Sequence, residues 1–210
     1  WANVSAMTIH VEGHGREGIL EGIDISRTVG WFTSLYPVHL DITGAATPLE
    51  TLKAVKEEIR RIPNKGVDYG ALRYLNPEMS SVFKQQVKPA ISFNYLGQFD
   101  QLISSQSIFS EHISSDDSNY DYQSMRLNSI AVIGIVKENK LQITWKYSNQ
   151  QWTSSRVQAV VQMMLEQLKL LSQCSHIDTT YMVSDFTDAD LNEKSLNKFL
   201  TKMSKKRGRK

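Results

Sequence analysis

The 210-residue chain is 40% apolar and 22% charged, the ordinary balance of a soluble globular protein, and is long enough for one large domain or two small ones. No apolar run approaches the length of a bilayer crossing, and no basic-then-apolar leader with a small-residue cleavage site is present. The lone Cys174 excludes an internal disulfide and points to a reducing cytoplasm, and the five scattered histidines form no zinc-ligand spacing.

The formal net charge is +2, yet six basic residues stand among the last nine, Lys202 to Lys210, so the remainder is net acidic. That tail reads as a solvated, frayed terminus rather than a nucleic-acid arm. No basic patch interleaved with aromatics occurs elsewhere in support of nucleic-acid binding. A start at Trp1 rather than Met is what a fragment would show.

Met7, Ile9 and Val11 alternate with Thr8, His10 and Glu12, a period-two strand with one buried face. On the other face His10 and Glu12 point the same way, and in an extended chain His14 and Arg16 join them. Gly13 and Gly15 leave room for close approach to the backbone. Residues 25–42 are rich in β-branched and aromatic types and predict one or two strands, with Pro37 at an edge or irregular point. Thr47-Pro48-Leu49-Glu50 starts a helix, with Thr47 as N-cap, Pro48 in the first turn and Glu50 closing a capping box. Leu49, Leu52, Val55, Ile59 and Ile62 form its apolar stripe, Arg60 and Arg61 suit its C-terminal end, and Pro63 stops it.

Residues 63–70, PNKGVDYG, read as a glycine-punctuated loop before a short apolar piece, ALRYL. Residues 90–100 start as a strand that ends at Gly97, and 101–127, rich in Ser, Asp and Gln, form a long excursion. The apolar run 129–136 predicts a central strand, paired as an antiparallel hairpin with the alternating Leu141, Ile143, Trp145 and Tyr147. Val157, Val160, Val161, Met164, Leu165, Leu168 and Leu171 share a helical face capped by Ser154 or Ser155. Thr187 with Asp190 opens a last helix, with Leu191, Leu196, Phe199, Leu200 and Met203 inward. The irregular alternation of strands and helices predicts an α/β layer fold, helices on a mixed sheet.

Four stretches, EGHGRE (12–17), RTVGWFTSLYP (27–37), PNKGVDYG (63–70) and FNYLGQFD (93–100), resemble in order and spacing the late motifs of epimerization domains of nonribosomal peptide synthetases, relatives of the condensation domains. Asp68 departs from the glycine usual there. The resemblance implies a chloramphenicol-acetyltransferase-like fold of two similar lobes in a V, with the active site between them. This chain resembles the C-terminal lobe, residues 1–203, followed by the basic tail 204–210; the HHxxxDG motif of the N-terminal lobe is absent from the sequence. The substrate implied is an aminoacyl or peptidyl thioester on the phosphopantetheine arm of a peptidyl carrier domain, with no directly bound cofactor, no metal, no nucleic acid and no membrane. A downstream synthetase subunit is a further implied partner. A condensation-type acyltransferase lobe and a non-catalytic docking lobe remain alternatives.

By the same resemblance the catalytic residues are Glu12, Arg16, Asn94 and Tyr95. An epimerase must take a Cα proton from one side and return one from the other; Glu12 would serve one side and the histidine motif the other. A partly desolvated Glu12 would have a raised pKa. Arg16 is expected to pair with a carboxylate in preference to stabilising negative charge on the thioester oxygen, His14 to be a hydrogen-bonded structural histidine, and Glu17 to be exposed or to pair within the loop. In a regular strand Asn94 and Tyr95 face opposite ways, which makes Asn94 the natural amide donor and Tyr95 core or a supporting residue. Trp31 and Phe32 are expected to be core. Deleting residues 204–210 is expected to leave the melting temperature unchanged and to weaken only a salt-sensitive association with an acidic partner; differential scanning calorimetry checks the first, and unfolding on deletion would make the tail structural.

Overall fold

The structure is a computed structural model that describes residues 2–18, 22–98, 125–174 and, further on, 185, 192, 194–196, 198, 199, 201 and 202. The chain forms two compact units: residues 1–6, 41–61 and 158–210, and residues 7–40 and 62–157.

The second unit is built on five strands, β1 (Ala6–Gly13), β2 (Ser34–Asp41), β3 (Ile91–Gln98), β4 (Ile130–Lys137) and β5 (Lys140–Tyr147). They form one mixed sheet in the order β2-β1-β3-β4-β5. β1 and β4 both run parallel to β3, and β4 is antiparallel to β5. The expected hairpin is present, and its two turn residues, Glu138 and Asn139, both have positive φ (54° and 55°), the geometry that matches the twist of the flanking strands. β4 alternates between buried and half-buried positions, and Ile130 and Val132 join Tyr36 and Val38 in the core of this unit.

β1 departs from the one-sided expectation. His10, on the polar face, is only 4% exposed, while Met7, Ile9 and Val11 are half-buried. β1 is an interior strand between β2 and β3, and residues on both of its faces are at least half-buried at positions 9–12, so alternation of polarity does not report alternation of burial. Of residues 25–42 only the second half is strand; Pro37, with no N–H to donate, lies in the edge strand β2, where that loss is tolerated.

Residues 63–70 are more ordered than a loop. Pro63–Gly66 is a tight turn in which Asn64, Lys65 and Gly66 all have positive φ. Helix α2 (Asp68–Leu75), the next after α1 (Pro48–Arg60), follows directly. Asp68 contributes locally by accepting from Asn64 Nδ2 at 2.6 Å. Gly66 is buried face-on against Tyr36: a Cβ there would sit 2.3 Å from the ring. Helix α3 (Pro77–Gln85) adds to the expected elements; Asn76 caps it by accepting from Met79 N–H at 3.0 Å, and Pro77 occupies its first turn. α2 and α3 are joined by an edge-to-face contact of Tyr69 and Phe83, centroids 5.1 Å apart.

In the first unit, α1 starts as expected. Thr47 caps it, and Glu50 closes the box by accepting from the Thr47 N–H. Its stripe is not deeply buried: Leu52 and Ile59 are 48% and 47% exposed. Lys56 and Arg60, one turn apart, both reach Asp185 Oδ1, at 2.7 and 2.6 Å. Helix α4 (Ser154–Cys174) runs from the second unit into the first. Its first backbone bond, from Val157 N–H to Thr153 O, places the cap at Thr153, one residue before the expected serines. Val157 is buried, whereas Leu165 on the same expected stripe is 41% exposed. Further on, Asn192 Oδ1 accepts from Ser195 N–H, and residues 194–196 are helical. Leu196 is buried, but Phe199 is half-exposed rather than inward. Thr187, Asp190, Leu191, Leu200, Met203 and the tail lie outside the described residues, as does most of the excursion 101–127. Among the described residues no helix is long and apolar enough to cross a membrane.

Two glycines of one motif are expected to respond oppositely to alanine. Gly66→Ala forces a Cβ into the Tyr36 ring at a left-handed φ of 80° and is expected to cost roughly 2 kcal/mol or more. Gly70→Ala, inside α2 with nothing within 4 Å of the added methyl, is expected to stabilise by about 0.5–1 kcal/mol. Denaturant titration of both variants checks the sign of each change.

Candidate active site

The parallel pairing of β1 with β3 sets His10 beside Ser92 and Val11 beside Phe93, and the next step along both strands sets Glu12 beside Asn94. The two side chains meet there: Asn94 Nδ2 donates to Glu12 Oε2 at 2.5 Å. On its other side Asn94 is in register with Ile133 of β4, and Tyr95 with Gly134. The register shifts only between Tyr95 and Gln98, at Gly97 with φ 84°, so the strand is regular through both residues and they face opposite ways. The Tyr95 ring lies over Gly134, 3.4 Å from where a Cβ would sit. Glu12 and Asn94 are therefore brought together and Tyr95 is not; half-exposed, it is not core either.

The charges that follow Glu12 are tied up among themselves. His14 Nδ1 accepts from the Arg16 N–H, and its Nε2 lies 3.1 Å from Glu17 Oε1. The other Glu17 oxygen accepts from Lys65 Nζ at 2.6 Å. This matches the structural role expected of His14 and the pairing expected of Glu17. Arg16 differs. It donates to the carbonyls of Ile25 (2.6 Å) and Gly30 (3.4 Å) and stacks on Phe32, 4.3 Å from the ring centre. Among the described residues it has no carboxylate partner. The cause is Gly15, whose left-handed turn brings the Phe32 carbonyl to 1.5 Å from where a Cβ would be, packing segment 25–32 against the loop. The room left at Gly15 is filled by this chain's own backbone. Trp31, expected in the core, is 89% exposed.

Glu12 is thus left with the Asn94 amide as its one partner among the described residues, and burial pushes its carboxyl above the usual range. A neutral donor can fix the orientation of a carboxylate without supplying the positive charge that would depress its pKa.

His10 lies two residues upstream on the same face, and the sequence assigned it no role. Its Nδ1 faces Asn128 Nδ2 at 2.8 Å, and that amide also donates to Pro89 O at 2.7 Å. Burial lowers the His10 pKa, and the Arg73 charge adds to the lowering. An imidazole held neutral with Nδ1 accepting carries its proton on Nε2. Nothing in the sequence links His10 with Asn128, 118 positions apart.

Residues 1–192 match the family described as the condensation domain. The chain is 40% identical over 204 residues to a linear gramicidin synthase protein of Brevibacillus parabrevis, covering 95% of this chain and 3% of that protein. It is 37% identical over 203 residues to surfactin synthase subunit 1 of Bacillus subtilis (strain 168), covering 95% and 6%. Among solved structures, it resembles the epimerization domain from the third module of tyrocidine synthetase B, with 31% identity and a TM-score of 0.68 over 83% of this chain and 39% of that one. The chain thus spans only a small part of its curated relatives.

The raised Glu12 pKa fixes the sign of a stability measurement. A carboxyl with a raised folded-state pKa contributes its full stability below the usual carboxylate range and loses it as pH rises through the raised value. Glu12→Gln keeps the acceptor for Asn94 and has no charge to bury. It is expected to melt higher than the parent at pH 8 by no more than about 2–4 °C, and level with it at about pH 4. A lower melting point at pH 8 alone would mean that Glu12 is stabilised by a cation.

Proposed function

This chain belongs to the condensation-domain family, and we propose that within it the chain is the C-terminal lobe of an epimerization domain of a nonribosomal peptide synthetase. Residues 1–203 form the lobe and residues 204–210 a basic tail. The lobe completes a V-shaped active site with an N-terminal lobe bearing HHxxxDG. The intact domain interconverts the L and D configurations at the Cα of an aminoacyl or peptidyl group held as a thioester on the phosphopantetheine arm of a carrier domain. It works in the cytoplasm, and a downstream synthetase subunit receives the product.

The observation that carries this reading is Glu12: a carboxyl of raised pKa, oriented by a neutral amide and kept apart from the ion pairs of its own loop. A base that must take a proton and give one back near neutral pH needs a pKa brought toward neutrality. An adjacent guanidinium would hold it ionised and spoil the return step. The thioester acidifies the Cα proton; Glu12 removes it on one side, and the histidine motif of the other lobe serves the opposite side. Asn94 fixes Glu12 through Oε2 and leaves the other oxygen for the proton. Arg16 acts as a positioning residue, bracing the turn after Glu12 against residues 25–32. Tyr95, on the opposite face, takes no part at the reacting carbon. The similarity to a solved epimerization domain supports this reading over peptide-bond formation; the family description alone is equally compatible with a condensation-type acyltransferase.

The test uses the intact domain with an L-aminoacyl carrier thioester in deuterated water. Deuterium is expected at Cα, and Glu12→Gln is expected to lower its incorporation by about 10²–10⁴-fold with carrier binding nearly unchanged. The present chain alone, lacking HHxxxDG, is expected to incorporate none. Peptide-bond formation without Cα exchange would establish the acyltransferase reading instead.

A further inference from the structure

A hollow of about 360 Å³ opens in the second unit beside His10, and its lining includes Tyr69, Arg73 and Tyr74 of α2 and Lys88 from the segment between α3 and β3. Lys88 and Leu127 are shared with an adjoining hollow of about 690 Å³, which adds Arg126. Among the described residues, the lining of both contains no aspartate or glutamate. Among the described residues Arg73, Lys88 and Arg126 have no acidic partner.

The polar groups of the smaller hollow are nearly all donors. Arg73 Nη1 donates to the Tyr69 hydroxyl at 2.5 Å, leaving the phenol proton free to donate, and the guanidinium lies 5.7 Å from both the Tyr69 and Tyr74 ring centres. A planar guanidinium held between two rings is pre-oriented for bidentate contact with an oxyanion. His10 is 4% exposed, and Asn128 occupies its Nδ1, so its Nε2 is a further donor. Lys88 adds a second full charge. Cations and neutral donors converging on one concave site, with no carboxylate among the described residues to compensate them, call for an anion to complete them.

We propose that this hollow is a binding site for a phosphate monoester, with Arg73 and Lys88 carrying the anion's charge, His10 and Tyr69 donating to its oxygens, and the adjoining hollow receiving the organic part. Neither Glu12 nor Asn94 lines the site, and it stands whichever reaction the domain performs.

The intact domain is titrated with inorganic phosphate, with a simple phosphate monoester and with acetate, each against sodium chloride at matched ionic strength; binding is read by calorimetry and by the shift in melting temperature. Phosphate and the monoester are expected to bind saturably, and Lys88→Gln and Arg73→Gln to weaken that binding by about tenfold or more. Tighter binding of the monoester than of inorganic phosphate sustains the proposal, and equal affinities overturn the role of the adjoining hollow and with it the monoester. No saturable binding beyond chloride, acetate binding as tightly as phosphate, or unchanged phosphate binding in the variants overturns it. Arg73 also packs on two tyrosines, so if Arg73→Gln fails to fold, the exposed Lys88→Gln carries the test.

Discussion

Parallel pairing between the first strand and the third is the constraint on which the candidate site depends. The two strands are separated by some eighty residues of chain, yet one register places a carboxylate opposite a neutral amide. Neither residue is informative alone. A glutamate at the end of a strand is ordinarily a solvated group, and an asparagine within a strand is ordinarily a poor strand former. Set side by side in an interior part of the sheet, each satisfies the other.

The loop after Glu12 keeps opposing charges away from it. Ionisable partners are close at hand in sequence and in space, but the left-handed turn at Gly15 sends Arg16 toward backbone carbonyls, while Glu17 takes up both His14 and Lys65. Had Arg16 paired with Glu12, the carboxyl would have been held ionised. The loop thus acts on the site by withholding a cation from it.

Much of the local grammar was legible in the sequence. Thr47-Pro48-Glu50 specifies a helix start through groups within four residues of one another, and the β4–β5 hairpin follows from alternation on either side of a short turn. Asn76-Pro77 uses the same grammar and could have been found by the same rule. The opposite orientations of Asn94 and Tyr95 follow from strand parity alone. What could not be read depends on distant partners. Residues 25–33 have the composition of a strand but no neighbour to pair with, and strand preference without a pairing partner decides little. The partners of Arg16 are backbone carbonyls, which leave no mark in the sequence. The burial of His10 requires Asn128 and the cover of a second face, and only the folded sheet supplies them.

The register shift at Gly97 has a bearing on how the chain tolerates changes in length. Because it lies beyond Asn94, residues gained or lost after it are absorbed where the ladder is already irregular, and the pairing that holds Glu12 is shielded from them. Upstream there is no such buffer. A single residue inserted between Pro89 and Phe93 would shift the strand by one position, presenting Phe93 to Glu12 in place of the amide, and a single deletion there would present Tyr95. Lineages of this chain should therefore vary freely in length after residue 98 and hold the count strictly before it.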